Sequence, residues 1–184
     1  MIQEEVIKKV TLIFEEKTIP YMLTGGIAVN YYGRPRFTHD VDFVIQVRLK
    51  DAEEITRLFK KEFYVAIEGI VDAIEHQTMF NLVHLETGFK VDCWISKAEE
   101  YAQASFARRR EEIIFDQAIS ISSPEDLIIS KLDWYKKSGA QKHYEDVLGI
   151  FEIQKGRLDL NYIRKWAKHF SFLDMVEELL KKCS

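Results

Sequence analysis

No stretch of this chain approaches the roughly 20 consecutive apolar residues needed to cross a bilayer, so a membrane-spanning protein and a membrane partner are not expected. Basic charge is not in excess. Twenty-six Lys and Arg stand against 30 Asp and Glu, a formal net charge of −4. No overall positive field therefore draws nucleic acid. Cysteine is scarce: Cys93 and Cys183 form no metal-ligand spacing. Cys93 falls on the apolar face of an expected strand, which suits a buried, reduced thiol. The N-terminal residues show neither a basic n-region nor an apolar h-region, so the cytoplasm is the expected location. Internal repeats and low-complexity segments are also missing. What remains is 184 residues, 47% hydrophobic and 30% charged, the make-up of one globular domain or a domain with a small appendage.

Hydrophobic spacing divides the chain in two. Val6, Val10, Ile13 and Phe14 repeat at helical spacing, so a helix is expected over 3–17. Tyr21-Met22-Leu23 reads as a short buried strand that ends at Gly25-Gly26, where a second helix opens. That helix stops at Gly33, with Pro35 soon after. A strand is expected over 38–47 and a helix over 51–61. A short strand and then a short helix fit 63–77. Residues 78–85 and 89–95 form a hairpin about Glu86-Thr87-Gly88. A long helix over 99–113 and a last strand over 118–121 follow. From Ser122 the pattern turns all-helical. Ser123-Pro124-Glu125-Asp126 is a helix start, with a serine cap, a first-turn proline and an acid three residues after the cap. The expected organisation is an α/β core over 1–121 and a C-terminal helical region over 122–184. No Gly/Ser linker separates the two, so they pack as one unit.

The chemistry concentrates in Arg36-Phe37-Thr38-His39-Asp40-Val41-Asp42-Phe43. Strand alternation places Arg36, Thr38, Asp40 and Asp42 on one face. Asp92 has the same polar parity on the later hairpin strand, together with Lys90 and Trp94. Carboxylates on one strand face repel unless a cation lies between them. Oxygen ligands with no companion Cys or paired His favour a hard ion, Mg²⁺ or Mn²⁺. Upstream, Thr24-Gly25-Gly26 closes a strand and opens a helix, where free backbone N–H groups favour an anion. Glycine lets the backbone approach a phosphate closely. A divalent ion beside a phosphate cradle points to nucleotide chemistry.

Further candidates lie along the chain. Arg36 shares the parity of the aspartates and suits phosphate oxygens in bidentate geometry. Lys131 is flanked on its helix by Leu127, Ile128, Trp134 and Tyr135. A charge inside such a stripe either snorkels outward or is aimed into a site. His143 and Asp146 stand one helical turn apart and are accessory candidates, with a helix-surface pair as the plain alternative. Arg108-Arg109-Arg110 reads as a solvated helix end. Trp94, Trp134 and Trp166 read as core, with Trp94 the best exception because it shares the face of Asp92.

Gly25-Gly26, thirteen intervening residues, Asp40-Val41-Asp42, and Asp92 on a later strand together resemble the polymerase-beta-type nucleotidyltransferase superfamily. The tail, Ser123-Pro124-Glu125-Asp126-Leu127 with Lys131 and then His143-x-x-Asp146, resembles its small AbiEii-type and MenT-like members. The family's usual glycine-serine pair stands here as Gly25-Gly26, leaving Thr24 or Thr38 to supply the hydroxyl. The resemblance implies an α+β fold, with a mixed β-sheet and helices followed by a C-terminal helical bundle. It implies transfer of a nucleoside monophosphate from an NTP to a hydroxyl acceptor, with release of pyrophosphate. The acceptor would be an RNA 3′ end, a protein or a small molecule. Asp40, Asp42 and Asp92 would be the catalytic, Mg²⁺-binding (or Mn²⁺-binding) residues. Thr24, Gly25, Gly26, Arg36, Thr38 and Lys131 would contact the nucleotide and its phosphates. The alternative is a non-catalytic nucleotide-binding protein of the same fold, or an interaction protein paired with a cognate toxin or antitoxin.

Overall fold

The computed structural model describes residues 2–183. Helix α1 (Ile2–Glu16) leads into β1 (Tyr21–Thr24), α2 (Gly25–Tyr32) and β2 (Val41–Ile45). A single 3₁₀ turn and α3 (Ala52–Phe59) follow, then β3 (Phe63–Tyr64) and α4 (Ile67–His76). A hairpin of β4 (Met79–His84) and β5 (Lys90–Ile95) precedes α5 (Glu100–Ala107), β6 (Arg110–Ile114) and β7 (Gln117–Ile121). The chain ends in α6 (Pro124–Ser138), α7 (Gln141–Ile153), α8 (Leu160–His169) and α9 (Leu173–Lys182). Among the described residues no helix is long and apolar enough to cross a membrane.

Among the described residues, one mixed sheet of seven strands, in the order β3-β4-β5-β2-β1-β7-β6, carries the fold. Strand β2 runs parallel to β5, and β1 runs parallel to β7; the other neighbours are antiparallel. Register aligns residues across the central strands. Leu23, Phe43, Cys93 and Phe80 form one such row, and all are buried. Phe43 meets Phe14 of α1 edge-on at 5.5 Å, and Phe14 meets Phe59 of α3 at 5.8 Å. Each such ring contributes roughly 1.5–3 kcal/mol by leaving water. The row one residue on faces the other way. It holds Thr24, Asp42, Asp92 and Asn81, all polar. The same alternation that builds the core therefore lines up the site.

The structure differs from three sequence expectations. Strand β2 begins at Val41, so Arg36, Thr38 and Asp40 belong to the preceding loop and not to a strand running from residue 38. That loop is pinned by Asn30 of α2, whose amide donates to the Arg36 carbonyl (2.8 Å) and accepts from the Arg36 N–H (2.9 Å). The long helix expected over 99–113 is α5 followed by β6. Residues 110–114 pair antiparallel with β7, and pairing outweighs helical propensity. The chain reversal presses Arg108 and Arg110 against the first turn of α6, so they are not a solvated helix end. Arg110 reaches the buried Glu125 at 3.1 Å, and Arg108 reaches Asp126 at 3.4 Å. The Ser123 cap forms as expected: its hydroxyl accepts from the Asp126 N–H at 3.1 Å.

Candidate active site

A cavity of about 660 Å³ lies between the polar row of the sheet and helices α6 and α7. Thr24, Gly25, Gly26, Thr38, Asp40 and Asp42 line its sheet side. Arg36, Lys131 and His143 also line it, as do the adjoining rings of Trp94 and Trp134. A second cavity, about 570 Å³, lies at the C-terminal end of β2 and holds none of the residues singled out in the sequence.

The glycines are required where they stand. Gly25 has φ +65°, a left-handed conformation that side chains disfavour. A Cβ there would fall 2.6 Å from Asp42 Cγ, overlapping the carboxylate. A Cβ on Gly26 would fall 2.8 Å from Thr38 Cβ. The backbone opening α2 thus packs directly on the carboxylate strand. Thr24, at the N-cap, makes no side-chain cap to the first turn.

Asp42 is the electrostatic centre. It pairs in register with Thr24 on one side and Asp92 on the other. Burial pushes its carboxyl above the ordinary carboxylate range, and the charges of Asp92 and Asp40 push the same way. The indole N–H of Trp94 opposes this by donating to Asp42 Oδ1 at 3.3 Å, and Lys131 also opposes it. Asp92 shares the face but does not line the cavity. Its Oδ1 accepts from Asn81 Nδ2 at 2.6 Å and lies 3.1 Å from Lys90 Nζ. Among the described residues no three His, Cys, Asp or Glu side chains are gathered as a metal-binding group. Asp42 and Asp92 share the sheet face in register, and Asp40 reaches the cavity from the loop before β2.

Arg36 and Lys131 reach the cavity as the sequence suggests, but both are tied to one acid. Asp146 of α7 is buried and accepts two hydrogen bonds from Arg36, Nε at 2.6 Å and Nη2 at 2.8 Å. Lys131 Nζ lies 3.4 Å from the same carboxylate. Burial lowers the affinity of Lys131 for its proton, Asp146 raises it, and Arg36 lowers it. Asp146 is therefore the anchor of the cationic wall and does not itself line the cavity. His143, one turn earlier, does line it. Burial lowers its ring below the ordinary histidine range, helped by Lys131 and Lys142.

Sequence reasoning placed Trp134 in the core, and the structure corrects this: 48% of it is exposed. It meets Trp94 edge-on at 6.4 Å and is near-parallel to His143 at 6.3 Å. Its position beside Lys131 in the same stripe was the available signal, because a stripe that carries a lysine into a cavity carries its neighbour too. Asn81 was missed altogether. Only hairpin register pairs it with Asp92, and parity alone does not fix register.

No family model matches the sequence, and no curated protein does. Solved structures do. The antibiotic-resistance factor ANT(2'')-Ia in solution aligns over 99% of this chain and 98% of its own, with TM-score 0.64 at 15% identity. A nucleotidyltransferase-like antigen from Paracoccidioides brasiliensis aligns over 97% and 91%, with TM-score 0.57 at 18% identity. The lincomycin-bound lincosamide antibiotic adenylyltransferase LnuA aligns over 83% and 98%, with TM-score 0.53 at 14% identity. The chain has the nucleotidyltransferase fold. At these identities the likeness is one of fold, and a fold alone does not assign a function. The nucleotidyltransferase fold expected from the motifs is the fold observed.

Proposed function

We propose that this protein transfers a nucleoside monophosphate from an NTP to a hydroxyl acceptor. The carrying observation is the packing of the Gly25 backbone onto the Asp42 carboxylate, inside a cavity whose far wall is cationic. A backbone phosphate cradle and a metal-type carboxylate are thereby adjacent. The donor set is all oxygen, and the raised carboxyl of Asp42 between two other acids is what a bound cation would relieve. Asp40 and Asp42, with Asp92 on the adjoining strand, would hold Mg²⁺ or Mn²⁺. When bound, such an ion neutralises charge on the phosphates and on the developing leaving group.

The chain's own residues supply the rest. The N–H groups opening α2 and the hydroxyls of Thr24 and Thr38 hold phosphate oxygens. Arg36 and Lys131, set by Asp146, counter the charge of the β and γ phosphates. The acceptor hydroxyl oxygen bonds to the α-phosphorus as the α–β bridging bond breaks. Pyrophosphate carries away that electron pair, and the hydroxyl proton passes to a carboxylate, with Asp92 the candidate. Such chemistry rests on positioning and charge.

A small-molecule hydroxyl is the acceptor we favour. The net charge of −4 disfavours a large RNA. ANT(2'')-Ia, also solved with adenylyl-2''-tobramycin, matches this chain nearly end to end, which supports the reading by analogy. The test is incubation with each labelled NTP, Mg²⁺ and pools of small molecules, RNA and protein. Label in the small-molecule pool with matching pyrophosphate release is expected. No pyrophosphate with any pool would overturn transfer, and label in RNA would overturn the acceptor.

A further inference from the structure

The cavity has an aromatic wall that the transfer chemistry does not use. Trp134 is half exposed, although it follows the buried Leu127, Ile128, Lys131 and Leu132 on the same helix. Open indole surface is costly in water and is where ligands gain most by stacking. His143 lies near-parallel to it, with an interplanar angle of 26°. Their 6.3 Å centroid separation is at the wide end of the range over which aromatic rings attract, about 4.5–7 Å, so the pair is loosely packed. His143 Nδ1 is buried with no hydrogen-bond partner among the described residues. A buried ring nitrogen without a partner is costly.

Position supplies the second observation. Trp94 touches Asp42 through its N–H, and its ring adjoins Trp134. Trp134 thus stands one aromatic ring beyond the carboxylate proposed to hold the metal ion at the phosphates. A nucleotide places its base one ribose beyond its α-phosphate. The cationic pair, Arg36 and Lys131, belongs to the phosphates, and the flat, uncharged Trp134 surface remains for the base.

We propose that Trp134, with His143 beside it, is the stacking site for the base of the nucleoside triphosphate. The inference rests on the nucleotide-transfer reading. Stacking is tolerant of base identity because every base has a π face.

The test measures binding of ATP and of inorganic tripolyphosphate, each with Mg²⁺ and without acceptor, by calorimetry on the full chain. The two ligands share the phosphates and differ in the nucleoside. Wild type is expected to bind ATP more tightly than tripolyphosphate. Trp134→Ala should weaken ATP about ten-fold, the middle of what one stacked base contributes, and leave tripolyphosphate unchanged. Trp134→Phe should restore most of the ATP affinity. An unaltered ratio of the two affinities in Trp134→Ala overturns the stacking site alone. Equal loss of both ligands in Trp134→Ala and Trp134→Phe also overturns it, because the residue would then shape the cavity as a whole. Failure of wild type to bind either ligand overturns the nucleotide reading with it.

Discussion

The two walls of the cavity are built by different means. On the sheet wall, Thr24 and Asp42 stand in one row because backbone register puts them there, and the row continues to Asp92 just beyond the cavity lining. Burial and the charges of Asp92 and Asp40 push Asp42 toward its neutral form. On the helix wall, Arg36 and Lys131 come from a loop and from α6. What holds them is one buried side chain, Asp146 of α7. The sheet wall is therefore strained by charge and fixed by backbone. The helix wall is satisfied by charge and fixed by a side chain. A substitution on the first should remove function and spare the fold, whereas one at the anchor of the second should harm both.

The largest expected effect is on the sheet wall. Asp42→Asn keeps the shape and can still accept from Trp94, but it loses the charge. Nucleotidyl transfer should fall at least about a hundred-fold, the scale of losing one principal charge-stabilising group. Stability should move the other way. The folded protein holds Asp42 at a raised value, so its contribution is present below the unfolded carboxylate range and is lost as pH rises through the folded value. Thermal scans of metal-free protein should show the variant gaining on wild type as pH rises from about 4 to 7. A variant that unfolds early at neutral pH would reverse the assignment and make Asp42 structural.

Asp146→Asn attacks the anchor of the other wall. It leaves a buried ammonium and a guanidinium without their carboxylate. Breaking such a pair costs about 3–5 kcal/mol, and the partial exposure of Arg36 places the expected loss near 3 kcal/mol. Both urea stability and NTP affinity should fall. Glu125→Gln is the control. It also breaks buried pairs, with Arg108 and Arg110, but outside the cavity lining. It should lose stability while tripolyphosphate affinity is kept. Equal loss of affinity in both variants would show that Asp146 merely joins the helices to the sheet.

This contrast also explains what the sequence made legible. Alternation and glycine spacing are local signals, and they located Gly25, Gly26, Asp42 and Asp92. The helix caps and the four C-terminal helices were likewise read from neighbours along the chain. The pairing of Asp146 with Arg36 spans 110 positions, and no local period encodes it. The same holds for Arg108 and Arg110, whose acids lie beyond a hairpin. Lys131 was visible as an anomaly in an apolar stripe, but the acid that makes its burial tolerable was not. Asp40 was assigned to the right wall for an imperfect reason: its loop, not a strand, carries it there.

A smaller effect is expected at the seam where the glycine turn meets the loop. Gly26→Ala puts a Cβ against Thr38, whose loop is held by Asn30 and, through Arg36, by Asp146. The loop must yield, and overpacking of this kind costs about 1–3 kcal/mol. NTP affinity should drop with it. If overlap is the cause, Thr38→Gly in the Gly26→Ala background should recover stability, giving a favourable coupling in the double-mutant cycle. Additive losses would place the cause elsewhere in α2.

Lys131→Met is expected to have the mildest effect on the fold and separates the two roles of the helix wall. Its ammonium is the looser partner of Asp146, at 3.4 Å against 2.6 and 2.8 Å for Arg36. Burial already disfavours its charge, so removing that charge relieves one cost as it loses one attraction. Arg36 still satisfies the acid. Stability should therefore change by less than about 1 kcal/mol. Phosphate binding should not escape so lightly. A charged hydrogen bond to a phosphate oxygen contributes about 1.5–3 kcal/mol, so affinity for ATP and for tripolyphosphate should weaken together, about ten-fold or more. That joint loss distinguishes Lys131 from Trp134, whose removal should affect ATP alone. Unchanged binding of both ligands in Lys131→Met would leave Arg36 as the wall's phosphate contact and return Lys131 to the role of a buried counter-charge for Asp146.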